Sequence, residues 1–259
     1  MYPADFRGTA TPFGPDDIAH EAAALGCSVA IIHAFSDIES DGGGFLATGE
    51  PVILFEAHVF HTLTRGAYDG SHPNISAALW DRSLYGAGGA HQYARLTEAM
   101  ALARVEALES CSWGRYQVMG LNFAVCGFGC VDDMVEAFCA SERAHLDAFG
   151  AFCTGTGLVR DMTSQPPAFV ALAVGYNGSG ERANGYDQKL KARYDLYSAG
   201  TPPIGGGFTV AQLQAQLGVP ADGLLGPVTI KAFQASRGLV PDGIDGPLTL
   251  AALAVATKG

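Results

Sequence analysis

Two glutamates follow apolar segments directly, where a carboxyl group can be partly withdrawn from water. Glu39 ends a predicted helix whose apolar stripe includes Ile31 and Phe35, and the helix stops at Gly42–Gly44. Partial burial and the negative end of the helix dipole both disfavour an ionised carboxyl group, so we expect Glu39 to stay protonated near neutral pH. A protonated carboxyl group can serve as a general acid. A solvated glutamate at a helix end explains the spacing equally well.

Glu56 ends the apolar run Val52–Phe55 and is the candidate for a second carboxylate. We expect this run to form one arm of a β-hairpin, so that Glu56 faces Glu39 across it. Two carboxyl groups in different environments suit the hydrolysis of a glycosidic bond, because one protonates the leaving oxygen while the other activates water or attacks. Glu56 can instead be a surface residue or the first residue of a following helix. Glu109 is a possible third carboxylate, but we expect it to be a charge at a helix end.

Two histidines raise a different possibility, a metal site. His58 and His61 are three residues apart, as neighbours on one helix face would be. A zinc site needs further ligands, and no third ligand stands out in the sequence. We therefore expect no metal and no cofactor. The six cysteines lack the spacing of a zinc site and are expected to be free thiols.

The net negative charge of the chain argues against two classes of binding partner, nucleic acids and anionic membranes. The chain has 259 residues and a net charge of −11, with no basic patch that could follow a phosphate backbone, so we expect no nucleic-acid binding. The same acidity disfavours adhesion to an anionic membrane surface. No stretch approaches the ~20 apolar residues that span a bilayer, so we expect no membrane insertion. Residues 1–7 lack the basic and apolar regions of a signal peptide.

The apolar periodicity predicts a mainly helical chain with one small β-hairpin near its start. Apolar positions recur three or four residues apart along the expected helices, and the first helix ends at Gly26. The predicted helices span 16–25, 28–39, 93–108, 131–139, 141–153, 168–174 and 186–197, and the hairpin joins 45–47 to 52–55.

The end of the chain carries an internal repeat behind a linker rich in glycine and proline. The run 222–230 recurs at 242–250 with the same Asp-Gly turn, Gly-Pro helix start and threonine, and three short helices are expected. This segment resembles the widespread three-helix peptidoglycan-binding domain over residues 210–254, which implies a module that binds cell wall. For the individual turn residues we expect a structural role. The expected domains are 1–199, the linker 200–207 and 208–259.

Three motifs before the linker resemble the N-acetylmuramidase family of phage endolysins, within the lysozyme-like superfamily. The motifs are Glu39–Phe45 with Gly49–Phe60, then Ser112–Gly120, then Tyr176–Gly178 with Tyr186 and Asp187. The resemblance covers most of residues 15–197. It implies a lysozyme-like α+β catalytic domain with a small sheet, in which Glu39 carries catalysis and Glu56 is the usual second acidic residue.

The same resemblance assigns substrate contacts by motif position. Amide and hydroxyl groups suit hydrogen bonding to the N-acetyl and hydroxyl groups of a sugar. Trp113 or Tyr116 could stack on a sugar ring, although core packing is our expectation for Trp113 and Met119. The residues implied to bind substrate are His58, Ser112, Gln117, Tyr176 and Asn177.

The function implied is that of a muramidase, which cleaves the β-1,4 bond between N-acetylmuramic acid and N-acetylglucosamine. The implied partner is the peptidoglycan glycan strand, and we expect a monomer. We also expect synthesis in the host cytoplasm without a signal peptide, and action on the wall after release. The nearest rival function is that of a lytic transglycosylase, in which the muramic acid 6-hydroxyl group attacks instead of water. Two more distant candidates are a zinc amidase or peptidase and a non-catalytic wall-binding protein.

Overall fold

The computed structural model describes residues 6–14, 16–40, 43–178, 185–198, 210–221, 223, 225–241, 243, 249 and 252–253. The chain divides into two compact units, each discontinuous in sequence. The first unit comprises Met1–Thr11 with Gly44–Thr156, and the second comprises Pro12–Gly43 with Gly157–Gly259. Helices predominate among the described residues and a small sheet lies in the first unit, which confirms the predicted mainly helical class.

The regular elements of the described residues follow one another in chain order. The helices are α1 (Asp17–Leu25), α2 (Val29–Ser40), α3 (Ala57–Thr64), α4 (Ala90–Met100), α5 (Arg104–Glu109), α6 (Val131–Ala140), α7 (Glu142–Gly155), α8 (Val159–Thr163), α9 (Phe169–Asn177), α10 (Tyr186–Ser198), α11 (Val210–Leu217) and α12 (Pro227–Ser236). The strands are β1 (Ile53–Phe55), β2 (Cys111–Trp113) and β3 (Val118–Met119). Short 3₁₀ turns lie at Arg82–Leu84 and Gly120–Asn122.

The sheet is antiparallel throughout, with β2 between β1 and β3. Leu54 lies opposite Ser112, and Trp113 pairs with both Ile53 and Val118. Along β1 the burial alternates, since Ile53 and Phe55 are buried while Leu54 is half-buried. One face of β1 therefore packs into the core, as the apolar run predicted.

The hairpin predicted between 45–47 and 52–55 is wrong as a pair of strands. Phe45 forms an isolated bridge with Pro51, and the turn between them closes through Leu46 N–H to Glu50 O at 2.8 Å. Val52 N–H still donates to Gly44 O at 2.9 Å, but Gly44 N–H donates to the Glu142 carboxylate instead of to Val52, so the pairing ends there. The strand β1 finds its regular partner in β2, far along the chain, which a local pattern does not reveal.

The single helix predicted over 93–108 is also wrong, because α4 and α5 are separate. Ala103 before α5 is extended, with φ −153° and ψ 91°. Residues 101–103 are good helix formers, so propensity does not cause the break. The break accompanies a tertiary contact instead: the Tyr68 hydroxyl group donates to the backbone oxygen of Leu102 at 3.0 Å. The α5 residues Ala107 and Leu108 are fully buried.

Helices α6 and α7 confirm the two predictions over 131–153. Ser141 lies between them in an extended conformation, and its hydroxyl oxygen accepts from Ala144 N–H at 3.2 Å as the N-cap of α7. Both helices contribute to the core of the first unit. Its largest fully buried side chains include Phe55, Phe60, Leu96, Trp113, Tyr116, Phe138 and Phe149.

In the second unit, α2 packs along α10. Of the predicted apolar stripe of α2, Ile31, Ile32 and Phe35 are fully buried, whereas Ile38 is half-buried. Gly26 ends α1 with φ +69°, a left-handed conformation that glycine adopts readily. The predictions for α9 and α10 agree with the structure to within a few residues, whereas α8 was not predicted.

No single helix in the described part of the chain is both long and apolar enough to cross a membrane. Helices α1 and α2 would meet that test as a pair, by length and composition, but they are bent by 115° at their junction.

The last part of the second unit contains α11, α12 and a small apolar core. The predicted linker 200–207 lies outside the described residues, as does most of the third predicted helix, of which Thr249, Ala252 and Leu253 are helical. The described core consists of Val210, Leu213, Leu225, Ile230, Phe233 and Leu253.

Buried glutamines explain the repeat at the end of the chain. Gln214 donates from Nε2 to the hydroxyl oxygen of Thr229 at 2.9 Å, and its Oε1 accepts from Gly223 N–H at 2.8 Å. Gln234 makes the same bonds twenty residues later, to Thr249 at 2.9 Å and from Gly243 at 2.9 Å. Each buried amide is thus satisfied by the turn and the helix that follow it, so the repeat includes these glutamines.

Candidate active site

Glu39 lies in the last turn of α2, as the sequence predicted, and it is half-buried. The hydroxyl group of Tyr186, the first residue of α10, donates a hydrogen bond to Oε1 of Glu39. The side-chain nitrogen of Asn177, the last residue of α9, lies 3.5 Å from the same oxygen. The first and third sequence motifs therefore meet at this carboxyl group.

Aromatic packing beneath Glu39 places these donors. Phe35 lies one turn earlier on α2 and is fully buried. Its ring centroid is 5.0 Å from that of Tyr176 and 6.5 Å from that of Tyr186. Tyr176, predicted to bind substrate, thus packs against Phe35, while the adjacent Asn177 reaches Glu39. The contact of Tyr186 was missed by the sequence reasoning, although the residue belongs to the third motif.

A further carboxylate on α2 fixes α10 in place. Asp37 is buried, and its Oδ2 accepts from the hydroxyl group of Tyr197 at 2.7 Å. Nε of Arg193 lies 4.0 Å from the same oxygen. These contacts tie α10 to α2 and so help to place Tyr186 beside Glu39.

In the first unit, Glu56 is the N-terminal neighbour of α3, the position that the sequence left open as an alternative. Its backbone N–H donates to Ser110 O at 2.9 Å, which continues the pairing of β1 with β2. The hydroxyl group of Tyr85 donates to Oε2 of Glu56 at 2.5 Å, and Nδ1 of His58 lies 3.3 Å from that oxygen. The carboxyl group is thus held by a fixed set of partners.

Burial raises the pKa of Glu56 above its ordinary value. The hydrogen bond from Tyr85 and the positive potentials of His58 and Arg95 act in the opposite direction, because each favours the ionised form. Burial thus favours the protonated form of Glu56 while its partners favour the ionised form, an environment that suits acid–base chemistry.

Two buried polar residues of α4 support the surroundings of Glu56. Gln92 donates from Nε2 to the backbone oxygens of Tyr85 and Ala87, each at 2.7 Å. Arg95 donates to the backbone oxygen of Phe55 at 2.8 Å. The sequence reasoning missed both, because a buried polar residue on a helix looks like a solvated one until its partners are known.

The two histidines of α3 have separate partners. His58 lies beside Glu56, whereas His61 hydrogen-bonds through Nδ1 to Asp69, whose Oδ2 is 2.7 Å away. Within the described ranges, no group of three or more His, Cys, Asp or Glu side chains could hold a metal ion. The substrate-binding role of His58 stays a prediction.

The second motif forms the tight turn between β2 and β3. Ser112 donates from its hydroxyl group to Oε1 of Gln117 at 2.7 Å, and Gln117 donates from Nε2 to Gly114 O at 2.8 Å. Gln117 has φ +48°, which is uncommon for a residue with a side chain. These bonds brace the turn. The predicted contacts of Ser112 and Gln117 with substrate stay predictions.

Trp113 and Tyr116 of the same motif are fully buried. The indole N–H of Trp113 donates to Leu108 O at 3.0 Å, and the ring of Tyr116 stacks on Phe149 with centroids 4.4 Å apart. Core packing, expected for Trp113, is confirmed. Neither ring has a face available for a sugar.

A buried ion pair that the sequence reasoning missed lies behind this motif. Both carboxylate oxygens of Glu142 accept from Nη2 of Arg115 at 2.9 Å, and both side chains are almost completely buried. Glu142 Oε1 also accepts from Gly44 N–H at 2.8 Å. Through Gly44 the pair therefore connects the first motif to the second, and its bidentate geometry is the kind that a buried ion pair requires.

His145 completes this cluster as a neutral side chain. Its Nδ1 accepts from the backbone N–H of Arg115 at 3.2 Å, while Nε2 bonds to Phe138 O at 2.8 Å, so Nε2 carries the proton. Burial lowers the pKa of His145 to about 3. A Cβ atom at Gly44 or Gly114 would lie 2.7 Å from the imidazole ring, which explains the glycine at both positions.

Glu109 is the last residue of α5 and is half-buried, which agrees with the expected charge at a helix end. Burial raises its pKa, with a smaller contribution from Glu106. Glu39 and Glu56 differ from it in being held by hydrogen bonds from tyrosine hydroxyl groups.

Comparison with known proteins gives a family match and similar solved structures. The model of the N-acetylmuramidase family matches residues 28–198. Among solved structures, the crystal structure of an endolysin from the Burkholderia phage AP3 is similar, with a TM-score of 0.64 and 32% sequence identity over 73% of this chain and 72% of that chain. No curated protein matches the chain.

Proposed function

Because this chain belongs to the N-acetylmuramidase family and is thereby a peptidoglycan hydrolase, we propose that it cleaves the β-1,4 bond between N-acetylmuramic acid and N-acetylglucosamine. The observation that carries the proposal is the convergence of the first and third motifs on the Glu39 carboxyl group, through Tyr186 and Asn177. In this proposal Glu39 is the general acid that protonates the glycosidic oxygen.

Tyr186 and Asn177 act on Glu39 both before and after it transfers its proton. Their donors are directed at Oε1, so they orient the carboxyl group before it gives up its proton. Once the proton has moved to the leaving sugar oxygen, the same donors stabilise the carboxylate that forms. The negative end of the α2 dipole favours return of the proton, which resets the acid.

Glu56 is the second carboxylate of the proposal and activates the water that attacks the anomeric carbon. Its hydrogen bonds favour the ionised form that a general base requires, and its burial keeps that form basic. Binding of the glycan strand is assigned to side chains of the three motifs that can bond N-acetyl and hydroxyl groups. These are His58, Ser112, Gln117, Tyr176 and Asn177.

Residues 208–259 are proposed to bind peptidoglycan and to hold the catalytic part near its insoluble substrate. The support is the internal repeat and the small core around Phe233. Such a tether raises the local concentration of enzyme at the wall without contributing to bond cleavage. We further propose that the chain acts as a monomer, without metal or cofactor, on the wall after release from the host cytoplasm.

Mass spectrometry of digested peptidoglycan tests the reaction type. Hydrolysis gives fragments with muramic acid at a reducing end, which is the expected result. A product lighter by one water would show the intramolecular attack of a lytic transglycosylase instead. New free amino groups would show an amidase or peptidase, and intact glycan and peptide with full wall binding would show a non-catalytic adhesin.

A further inference from the structure

Trp80 is an exposed tryptophan in the segment between α3 and α4. It is 59% exposed and follows Leu79, which is 79% exposed, whereas the other tryptophan of the chain, Trp113, is fully buried. Tryptophan is strongly buried on average in folded proteins. A large apolar ring facing water in a well-defined position is typical of a binding surface.

Hydrogen bonds fix the orientation of this ring and connect it to Glu56. The indole N–H of Trp80 donates to the hydroxyl oxygen of Tyr85 at 2.6 Å. Since indole can only donate, the Tyr85 oxygen is the acceptor there, and its own proton is directed at Oε2 of Glu56, 2.5 Å away. The chain of bonds therefore has one direction, from the exposed ring to the carboxylate.

The described bonds to the Glu56 carboxyl group all fall on Oε2. Oε1 is the oxygen available to a water molecule in the proposed reaction. The exposed ring and the reactive oxygen thus belong to one hydrogen-bonded assembly, whose middle member, Tyr85, is anchored through its backbone oxygen by Gln92.

We infer that Trp80 binds a sugar ring of the glycan strand by stacking, and that Tyr85 acts as a positioning residue that sets the Glu56 carboxylate relative to that ring. The inference rests on the proposed function, because Glu56 is the second carboxylate there. The hydrogen bonds from Trp80 through Tyr85 to Glu56 indicate the ligand. A ring connected in this way to the proposed catalytic carboxylate would contact the glycan strand that is cleaved. A pyranose ring presents a face of C–H groups that packs on an aromatic face, while its hydroxyl groups bond to neighbouring polar groups.

Binding is tested in full-length protein carrying Glu39→Gln, with the GlcNAc–MurNAc tetrasaccharide as the probe. Tryptophan emission should change saturably on titration, because Trp80 is exposed and the fully buried Trp113 is shielded. The change should disappear in Trp80→Phe. By calorimetry, Trp80→Phe should bind almost as well, since it keeps an aromatic face, whereas Trp80→Ala should bind about threefold to tenfold more weakly. Leu79→Ala is the matched control and should bind normally.

The positioning role of Tyr85 is tested by the pH profile of cleavage in otherwise unchanged protein. The groups that act on Glu56 are Tyr85 itself, His58 of α3 and Arg95 of α4. The buried thiol of Cys111 in β2 also lies near Glu56, and burial raises the pKa of that thiol, so it stays neutral. Tyr85→Phe removes one donor that favours the ionised carboxylate, so the acidic limb of kcat should move to higher pH. A purely structural role would lower activity at every pH without moving the limb.

The possible results distinguish a failure of this inference from a failure of the proposed function. If the tetrasaccharide binds while Trp80 emission stays constant and Trp80→Ala binds as well as its parent, the inference is overturned and the hydrolase assignment is untouched. An unmoved acidic limb in Tyr85→Phe overturns the positioning role. If wild-type protein neither binds nor cleaves the glycan, the proposed function fails, and this inference fails with it. Circular dichroism of each variant confirms that the fold is retained.

Discussion

The hydroxyl group of Tyr186 donates a hydrogen bond to Oε1 of Glu39 across 147 residues of sequence. Tyr186 begins α10 and Glu39 lies in the last turn of α2. The Asp37–Tyr197 bond of 2.7 Å joins the same two helices at another point. The hydrogen bond to Glu39 thus comes from a helix, α10, that a separate hydrogen bond from Tyr197 to Asp37 also holds against α2. Loss of the donor and loss of the anchor should therefore have different consequences.

We predict that Tyr186→Phe lowers kcat on soluble glycan fragments by about tenfold, the value of one hydrogen bond to a charged group. Substrate binding should change little, because the missing hydroxyl group acts on Glu39. Tyr197→Phe on the same helix is the control. It should lower the free energy of unfolding by about 1–3 kcal/mol and leave kcat close to wild type. Equal loss of kcat in both variants would show that Tyr186 merely supports the helix.

We predict that Glu56→Gln loses most of its activity while glycan binding survives, because an amide cannot accept the proton of the attacking water. The loss should be no larger than that of Glu39→Gln. Glu109→Gln is the matched control, since that glutamate is also half-buried, and it should stay active. An inactive Glu109 variant beside an active Glu56 variant would show that the second carboxylate has been assigned to the wrong residue.

Glu56 should also make the folded protein less stable at neutral pH than it would be with an uncharged residue. Burial raises its pKa in the folded state, so the folded protein holds this proton more tightly than the unfolded chain does. The contribution of Glu56 to the free energy of unfolding therefore falls as the pH rises from its pKa in the unfolded chain through its higher pKa in the folded protein. Thermal unfolding at pH 7 should give a higher Tm for Glu56→Gln, and the difference should vanish at a pH below both pKa values. A lower Tm at pH 7 would contradict this.

How far the sequence predicts the structure depends on the range of the contacts concerned. The end of α1 at Gly26 and the buried stripe before Glu39 follow from periodicity and turn chemistry within one segment. The pairing of β1 with β2 and the bond from Tyr186 to Glu39 depend on residues far apart, so a local pattern could not give them. The resemblance of the three motifs to a known family indicated that these segments contribute to one site. It did not indicate which atoms are in contact.

Buried polar residues were the least predictable class. Glu142 lies in the first turn of α7 and resembles a solvated N-terminal glutamate in sequence, yet it is almost completely buried against Arg115. Nothing within α7 identifies that partner. At the end of the chain the reverse holds: the repeat was visible in sequence, and the structure adds its physical cause in Gln214 and Gln234.

We predict that Glu142→Ala lowers the free energy of unfolding by about 3–5 kcal/mol, because it leaves the buried Arg115 guanidinium group without its counter-charge. Urea unfolding measures the change. The nearby ion pair Arg143–Asp147 is exposed, and it provides the control. Nη2 of Arg143 lies 2.6 Å from Oδ1 of Asp147. Arg143→Ala should cost about 0.5 kcal/mol or less. A cost below about 1 kcal/mol for Glu142→Ala would show that the buried pair does not hold the two motifs together.

We predict that a protein ending at residue 199 keeps its turnover on small soluble glycan fragments but becomes slower on intact walls, most clearly at low enzyme concentration. Every proposed catalytic residue precedes that point, and the tether would be lost. Residues 208–259 alone should sediment with purified peptidoglycan and release nothing from it. The prediction fails if the shortened enzyme is equally slow on soluble fragments, or if the isolated segment stays in the supernatant.

The rate at which Glu39→Gln releases reducing-end muramic acid from purified peptidoglycan tests the central claim most directly. Glutamine is close to glutamate in shape but has no carboxylic proton to give, so the variant should fold and bind the wall as wild type does. Mass spectrometry of the digest should then show the rate reduced by about 10²–10⁴, the usual contribution of general acid catalysis. A folded variant that retains more than about a tenth of the wild-type rate would contradict the assignment of Glu39 as the general acid.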